Sequence, residues 1–250
     1  MLTIDRVSGS LVQLTIDRPP ANALTFDLLQ TLLETFIQLS QETDPPAVVL
    51  AGAGRRFFCA GGDIREITTN PGVAVPRMQT FHRLLVALES YERPVVCAVN
   101  GYAVGGGLEL VLYADCVVAS NSALFGFPEI NHGLLPAAKG IRQTVNRLGR
   151  RVAERLLYGG DLVPAKKARA IGLIDEVVSI DALQACALGQ ATKLRDKDMH
   201  LFSAIKRTFN DAPFMTDHEL EERTISDMKD YLDRGAATAA RQQFLQRRAK

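Results

Sequence analysis

Three runs in this chain are apolar at every position and too short to make helices of ordinary length. They are Ala47-Val-Val-Leu-Ala51, Pro94-Val-Val-Cys-Ala-Val99 and Cys116-Val-Val-Ala119. A strand with no polar alternation has no face left for water, so each run reads as a buried strand. Helical patterns separate them. Thr25 can cap a helix whose apolar face carries Leu28, Leu29, Leu32, Leu33, Phe36 and Leu39, and Pro45-Pro46 breaks the chain after it. A second helix holds Met78, Phe81, Leu84, Leu85 and Leu88. Leu11-Val-Gln-Leu-Thr-Ile16 is β-prone and is ended by Arg18-Pro19-Pro20. Further on, residues 124–140 read as loop, 140–158 and 164–171 as helix, and 173–178 as strand. From Asp181 onward the chain reads mostly helical. The pattern predicts an α/β core over residues 1–190 and a helical C-terminal region over 191–250.

Composition narrows the function classes. Of the 250 residues 47% are hydrophobic, enough for a large core and against disorder as the main state. Lys and Arg number 29 against 28 Asp and Glu, a net charge of +1, which argues against a surface built for nucleic acid. Cys59, Cys97, Cys116 and Cys186 are far apart, with no CxxC or Cys/His ligand spacing, and read as reduced core thiols; no metal is expected. The N-terminus lacks the shape of a signal peptide and no apolar run reaches a membrane span, so a soluble cytoplasmic protein is expected. GxxxxGK[ST], GxGxxG after a strand, GxSxG and HExxH are all absent.

Two glycine-rich loops stand out. Gly105-Gly106-Gly107 lies between a strand and a helix beginning near Leu108, where backbone N–H groups have no intrahelical partner. Such a loop either makes a tight turn or presents donors to an anion or a developing oxyanion. Ala60-Gly61-Gly62-Asp63 is the second; Asp63 can cap a helix starting at Ile64 or hold the loop by accepting amide bonds.

Two acids complete the constellation. Glu109 sits within Leu108-Glu-Leu-Val-Leu112; if that face packs inward, the carboxyl is desolvated and its pKa rises. A carboxyl tuned upward suits proton transfer near neutral pH. Glu129, after Phe125-Gly-Phe-Pro128, is either a second positioned carboxyl or a first-turn residue of a short helix. Two loops of amide donors and two carboxyls suit a carbonyl compound that reacts through an enolate.

The ordered segments resemble the enoyl-CoA hydratase/isomerase (crotonase) superfamily. They are Asp17-Arg-Pro with Asn22-Ala-Leu24, Phe58-Cys-Ala-Gly-Gly-Asp-Ile64, Asn100-Gly-Tyr-Ala-Val-Gly-Gly-Gly-Leu-Glu109, Phe125-Gly-Phe-Pro-Glu129 with Gly133-Leu-Leu-Pro136, and Ala168 to Val177. The resemblance implies a spiral of ββα units and a C-terminal helical region that builds trimers, often paired into hexamers. It implies a coenzyme A thioester substrate with no separate cofactor, and a place in fatty-acid β-oxidation. The family's oxyanion hole maps onto the amides of Gly62 and Gly106, and its two hydratase glutamates map onto Glu109, which would activate water, and Glu129, which would exchange a proton at the α carbon. Ala60, Gly62, Asp63, Ile64 and Gly106 would line the CoA path, Ala60 and Ile64 through their backbone.

The resemblance implies a 2-enoyl-CoA hydratase, with a Δ3,Δ2-enoyl-CoA isomerase or a pathway-specific dehydratase as the alternative. A non-catalytic or RNA-binding member of the fold is a more remote one. Ala137-Ala-Lys-Gly140 departs from the Gly-Ala-Gly-Gly that is common after the equivalent of Pro136. Lys139 there faces solvent or meets a polar acyl group. His132 borders the pocket or is simply solvated. Arg241, Arg247, Arg248 and Lys250 hold CoA phosphates or form a solvated basic tail.

Overall fold

The computed structural model describes residues 1–234. The core repeats two strands and a helix. β1 (Leu2–Ser8), β2 (Leu11–Ile16) and α1 (Phe26–Ser40) come first, then β3 (Ala47–Gly52), β4 (Phe57–Cys59) and α2 (Pro71–Ser90). β5 (Val95–Val99), β6 (Tyr102–Val104) and α3 (Gly106–Val111) follow, then β7 (Cys116–Ser120) and β8 (Leu124–Gly126). After them run α4 (Ala138–Leu148), α5 (Arg150–Gly159), β9 (Val163–Pro164), α6 (Ala165–Ala170), β10 (Glu176–Val178) and α7 (Leu183–Arg195). The C-terminal region adds α8 (Met199–Asp211) and α9 (Asp217–Asp233).

The larger sheet has the order β1-β2-β3-β5-β7-β10, parallel from β2 onward. Val12, Leu14, Leu50, Cys97 and Val99 pack on one face with α1 and α2. Leu11, Val49, Val96 and Val118 pack on the other, under Leu183, Ala187 and Ala191 of α7. Both faces are covered, which is why these strands carry no alternation of polar residues.

The smaller sheet, β4-β6-β8-β9, places the functional loops. β4, β6 and β8 are parallel, with Phe57 opposite Tyr102 and Ala103 opposite Phe125. Three successive loops therefore leave from the same end, the end where parallel strands bring ligands. The amide of Gly105 donates to the carbonyl of Gly126 at 3.0 Å and ties the second loop to the third.

The described residues divide into two compact units, Met1–Asp196 and a second that begins at Lys197. The division falls after α7, whose buried alanines belong to the core. In the second unit α9 opens with a reciprocal cap between Thr216 and Glu219.

Other expectations need correction. Residues 124–140 are not simply loop: they contain β8 and a 3₁₀ turn at Pro128–His132. The helix expected over 140–158 is two helices, parted at Gly149. The N-terminal strand β1 was not anticipated, because its residues are charged or exposed. Among the described residues no helix is long and apolar enough to cross a membrane. The four cysteines are free, and burial pushes the Cys59 thiol up to about 12.

Candidate active site

The three loops enclose a cleft of about 410 Å³. Gly62, Gly106, Glu109 and Glu129 all line it, together with Ala60, Ile64 and His132. Leu24, Met78, Phe81 and Leu134 supply apolar wall.

The two glycine amides come from neighbouring loops. A Cβ on Gly61 would stand 3.1 Å from the Gly106 nitrogen, a measure of how closely the loops approach. Among the described residues, neither the Gly62 nor the Gly106 amide donates a hydrogen bond within the protein. Gly106 opens α3, and Gly105 before it has φ +53°, a left-handed conformation that suits glycine. Leu24 bridges the other loop: its amide donates to the Gly61 carbonyl at 2.7 Å and its carbonyl accepts from the Asp63 amide at 3.0 Å.

Glu109 is 1% exposed, so the face it shares with its apolar neighbours does pack inward. Its Oε1 accepts from the Ala137 amide at 3.1 Å, while Oε2 is buried with no hydrogen-bond partner among the described residues. Desolvation is the main cause that pushes its pKa up to about 8; the negative charge of Glu129 adds to the rise, and amide bonds from the 137–140 segment oppose it. Gly140 makes the placement possible, since a Cβ there would overlap the Glu109 carboxyl.

Glu129 lies in the first turn of the Pro128–His132 segment, as one of its two sequence readings has it, and its side chain lines the cleft. Its carboxyl rests against Gly105, and its Oε2 is also buried without a partner. Desolvation raises its pKa as well. Two acids, each with one unsatisfied oxygen, thus face one cavity that also presents two unused amides.

Other sequence candidates sit differently. Asp63 is buried and caps the 3₁₀ turn at Ile64–Glu66, accepting from the Arg65 amide at 3.0 Å. It pairs with Arg18 and Arg65, each at 2.7 Å, and does not line the cleft. The Ala60 amide is spent on the Ala21 carbonyl at 3.1 Å, which leaves its carbonyl for a ligand. His132 is exposed at the cleft wall. Lys139 meets neither expectation: it is buried, ion-paired with Glu89 near the end of α2, and 5.3 Å from the Tyr113 ring centre. Arg241, Arg247, Arg248 and Lys250 lie outside the described residues. Sequence reasoning missed Arg77 and Glu66, which line the cleft and pair at 3.4 Å. They carry no local motif, and only the folding of α2 against residues 24–26 brings them together.

The family model for enoyl-CoA hydratase/isomerase matches residues 6–249, and the chain belongs to that family. It is 35% identical over 182 residues to the 2,3-dehydroadipyl-CoA hydratase of Escherichia coli, covering 72% of this chain and 71% of that one. It is 30% identical over 201 residues to the carnitinyl-CoA dehydratase of Proteus mirabilis, covering 80% and 77%. The crystal structure of an enoyl-CoA hydratase from Bacillus anthracis superposes with a TM-score of 0.92 at 25% identity, covering 98% of this chain and 96% of that one. The protein is an enzyme of the enoyl-CoA hydratase/isomerase type.

Proposed function

We propose that the protein hydrates the C2=C3 bond of a 2-enoyl-CoA thioester, with Gly62, Gly106, Glu109 and Glu129 as the working groups. The observation that carries this reading is the pair of buried, unpartnered carboxyl oxygens facing one cleft. An isomerase needs one acid to carry a proton between carbons; water addition uses two, one for the water and one for C2.

The thioester oxygen accepts from the Gly62 and Gly106 amides. As water adds at C3, charge moves onto that oxygen, and fixed dipoles stabilise it without reorganising. The Glu109 carboxylate takes the proton from the attacking water. Protonated Glu129 delivers a proton to C2, and the enolate collapses to the 3-hydroxyacyl thioester. The raised pKa values keep a proton available in the site near neutral pH.

The CoA moiety runs past Ala60 and Ile64, and the enzyme uses no separate cofactor. The protein assembles as a trimer or a dimer of trimers, works in the cytoplasm, and serves fatty-acid breakdown. The relatives, one a hydratase of a dehydroadipyl thioester and one a dehydratase of a carnitinyl thioester, support a panel of polar and plain acyl chains as the test. Loss of the enoyl-thioester ultraviolet absorption is the readout, with 3-enoyl thioesters run in parallel. Conversion of 3-enoyl substrates without hydration of any 2-enoyl substrate would replace the hydratase reading with the isomerase one.

A further inference from the structure

The Arg77 guanidinium lies directly against Gly62. A Cβ on Gly62 would stand 2.9 Å from its Nη2 and 3.4 Å from its Nη1. Nη2 donates to the Leu24 carbonyl at 2.8 Å, the same oxygen that accepts from the Asp63 amide. Nε donates to Glu66 Oε2 at 3.4 Å, and that oxygen accepts from the Phe26 amide at 2.8 Å. One planar side chain on α2 therefore ties Leu24 and Glu66, one on either side of Gly62. The rigid fork of arginine fixes both bonds at once, whereas the ammonium of a lysine is a point charge on a flexible stem that does not.

The placement has an electrostatic side. Arg77's side chain is 16% exposed and lines the cleft. A cation so poorly hydrated acts strongly on charge developing nearby. Its nearest cleft-side neighbour is the loop whose free amide faces the thioester oxygen in the reading above.

We propose that Arg77 is a positioning residue for the Gly62 amide: it holds the Gly61-Gly62-Asp63 segment in aim and adds positive potential where the enolate oxygen forms. The proposal rests on the reading of Gly62 as a thioester-oxygen donor. It assigns Arg77 no contact with the reacting carbons.

Gly62 itself offers the test. Its φ is not left-handed, so alanine is conformationally allowed there, and the new methyl would displace only the tip of Arg77. Gly62→Ala, Arg77→Met, the double variant and Arg77→Lys are assayed for hydration of crotonyl-CoA, with thermal melting measured in parallel. Arg77→Met is expected to lower kcat by about 10-fold with KM within about 2-fold, as for a group felt mainly in the transition state. Arg77→Lys falls between Arg77→Met and the unsubstituted enzyme. Gly62→Ala costs about 10-fold alone and under about 2-fold when Arg77 is already methionine, because the two changes remove one interaction. A kcat unchanged in Arg77→Met, or costs that add in the double variant, overturns the proposal. A protein that hydrates no 2-enoyl thioester overturns the reading of the cleft, and this proposal falls with it.

Discussion

In the proposed mechanism the two sides of the cleft do the same work with different materials. The Gly106 side is made of backbone and packing: a short buried helix, the Gly105–Gly126 hydrogen bond, and a Gly107 whose Cβ would overlap the Cys59 carbonyl. The Gly62 side is held by charge. Asp63 pairs with Arg18 and Arg65, Glu66 pairs with Arg77, and the bridge to Leu24 lies among them. A donor set by close packing moves only if the core moves. A donor set by side-chain pairs can be loosened one pair at a time, and its tolerance is correspondingly graded.

The largest effect is expected where chemistry and packing coincide. Glu109→Gln should lower hydration by about 10³-fold. It should also change stability. The folded carboxyl keeps its proton up to about 8, whereas an unfolded glutamate releases it near 4.5. Native protein therefore binds the extra proton across that window, and stability falls as pH rises through it. Glutamine removes this loss, so melting scans should show the variant more stable than the native protein at pH 8 and above, by on the order of a few kcal/mol.

Gly140→Ala tests the packing without touching an acid. Its methyl would push the Glu109 carboxyl from its seat, and a displacement of about 1 Å is worth about 10²-fold in kcat. Thioester affinity should be nearly kept. Equal costs for Gly140→Ala and Gly62→Ala would erase the contrast between the two sides.

The pH profile gives a smaller, graded effect. Glu109 must be ionised to take a proton from water, and its raised pKa means the base form is scarce below about 8. Hydration at low substrate should rise about tenfold per pH unit below that limb, the titration belonging to the coupled pair of Glu109 and Glu129. A rate that levels off above pH 5 would contradict the assignment. Asp63→Asn should be mildest, several-fold, since Leu24 and Arg77 still hold the loop. Arg65, mainly, keeps the Asp63 carboxyl far below the usual carboxylate range, so these pairs persist as pH falls through the ordinary aspartate value.

Much of this was legible in the residues. The apolar runs specified strands covered on both faces, the spacing from Leu28 to Leu39 specified α1, and the leucines around Glu109 made a buried acid one of two readings. The convergence of the loops was not legible, because it depends on β8, a three-residue strand among Gly and Pro that only its pairing with β6 and β9 defines. Lys139 was misread because charge suggests water, while its partner Glu89 lies 50 residues away. Arg77 was silent for the same reason: its meaning comes from Leu24 and Gly62, which the fold brings to it.

The central claim is that Glu109 and Glu129 act together on one thioester, and hydration of crotonyl-CoA by Glu109→Gln, Glu129→Gln and the double variant tests it most directly. Groups that work as a unit lose nearly everything when either is removed, so each single variant should fall by orders of magnitude and the double variant hardly further, with thioester binding retained. Near-native turnover in either single variant would contradict the account.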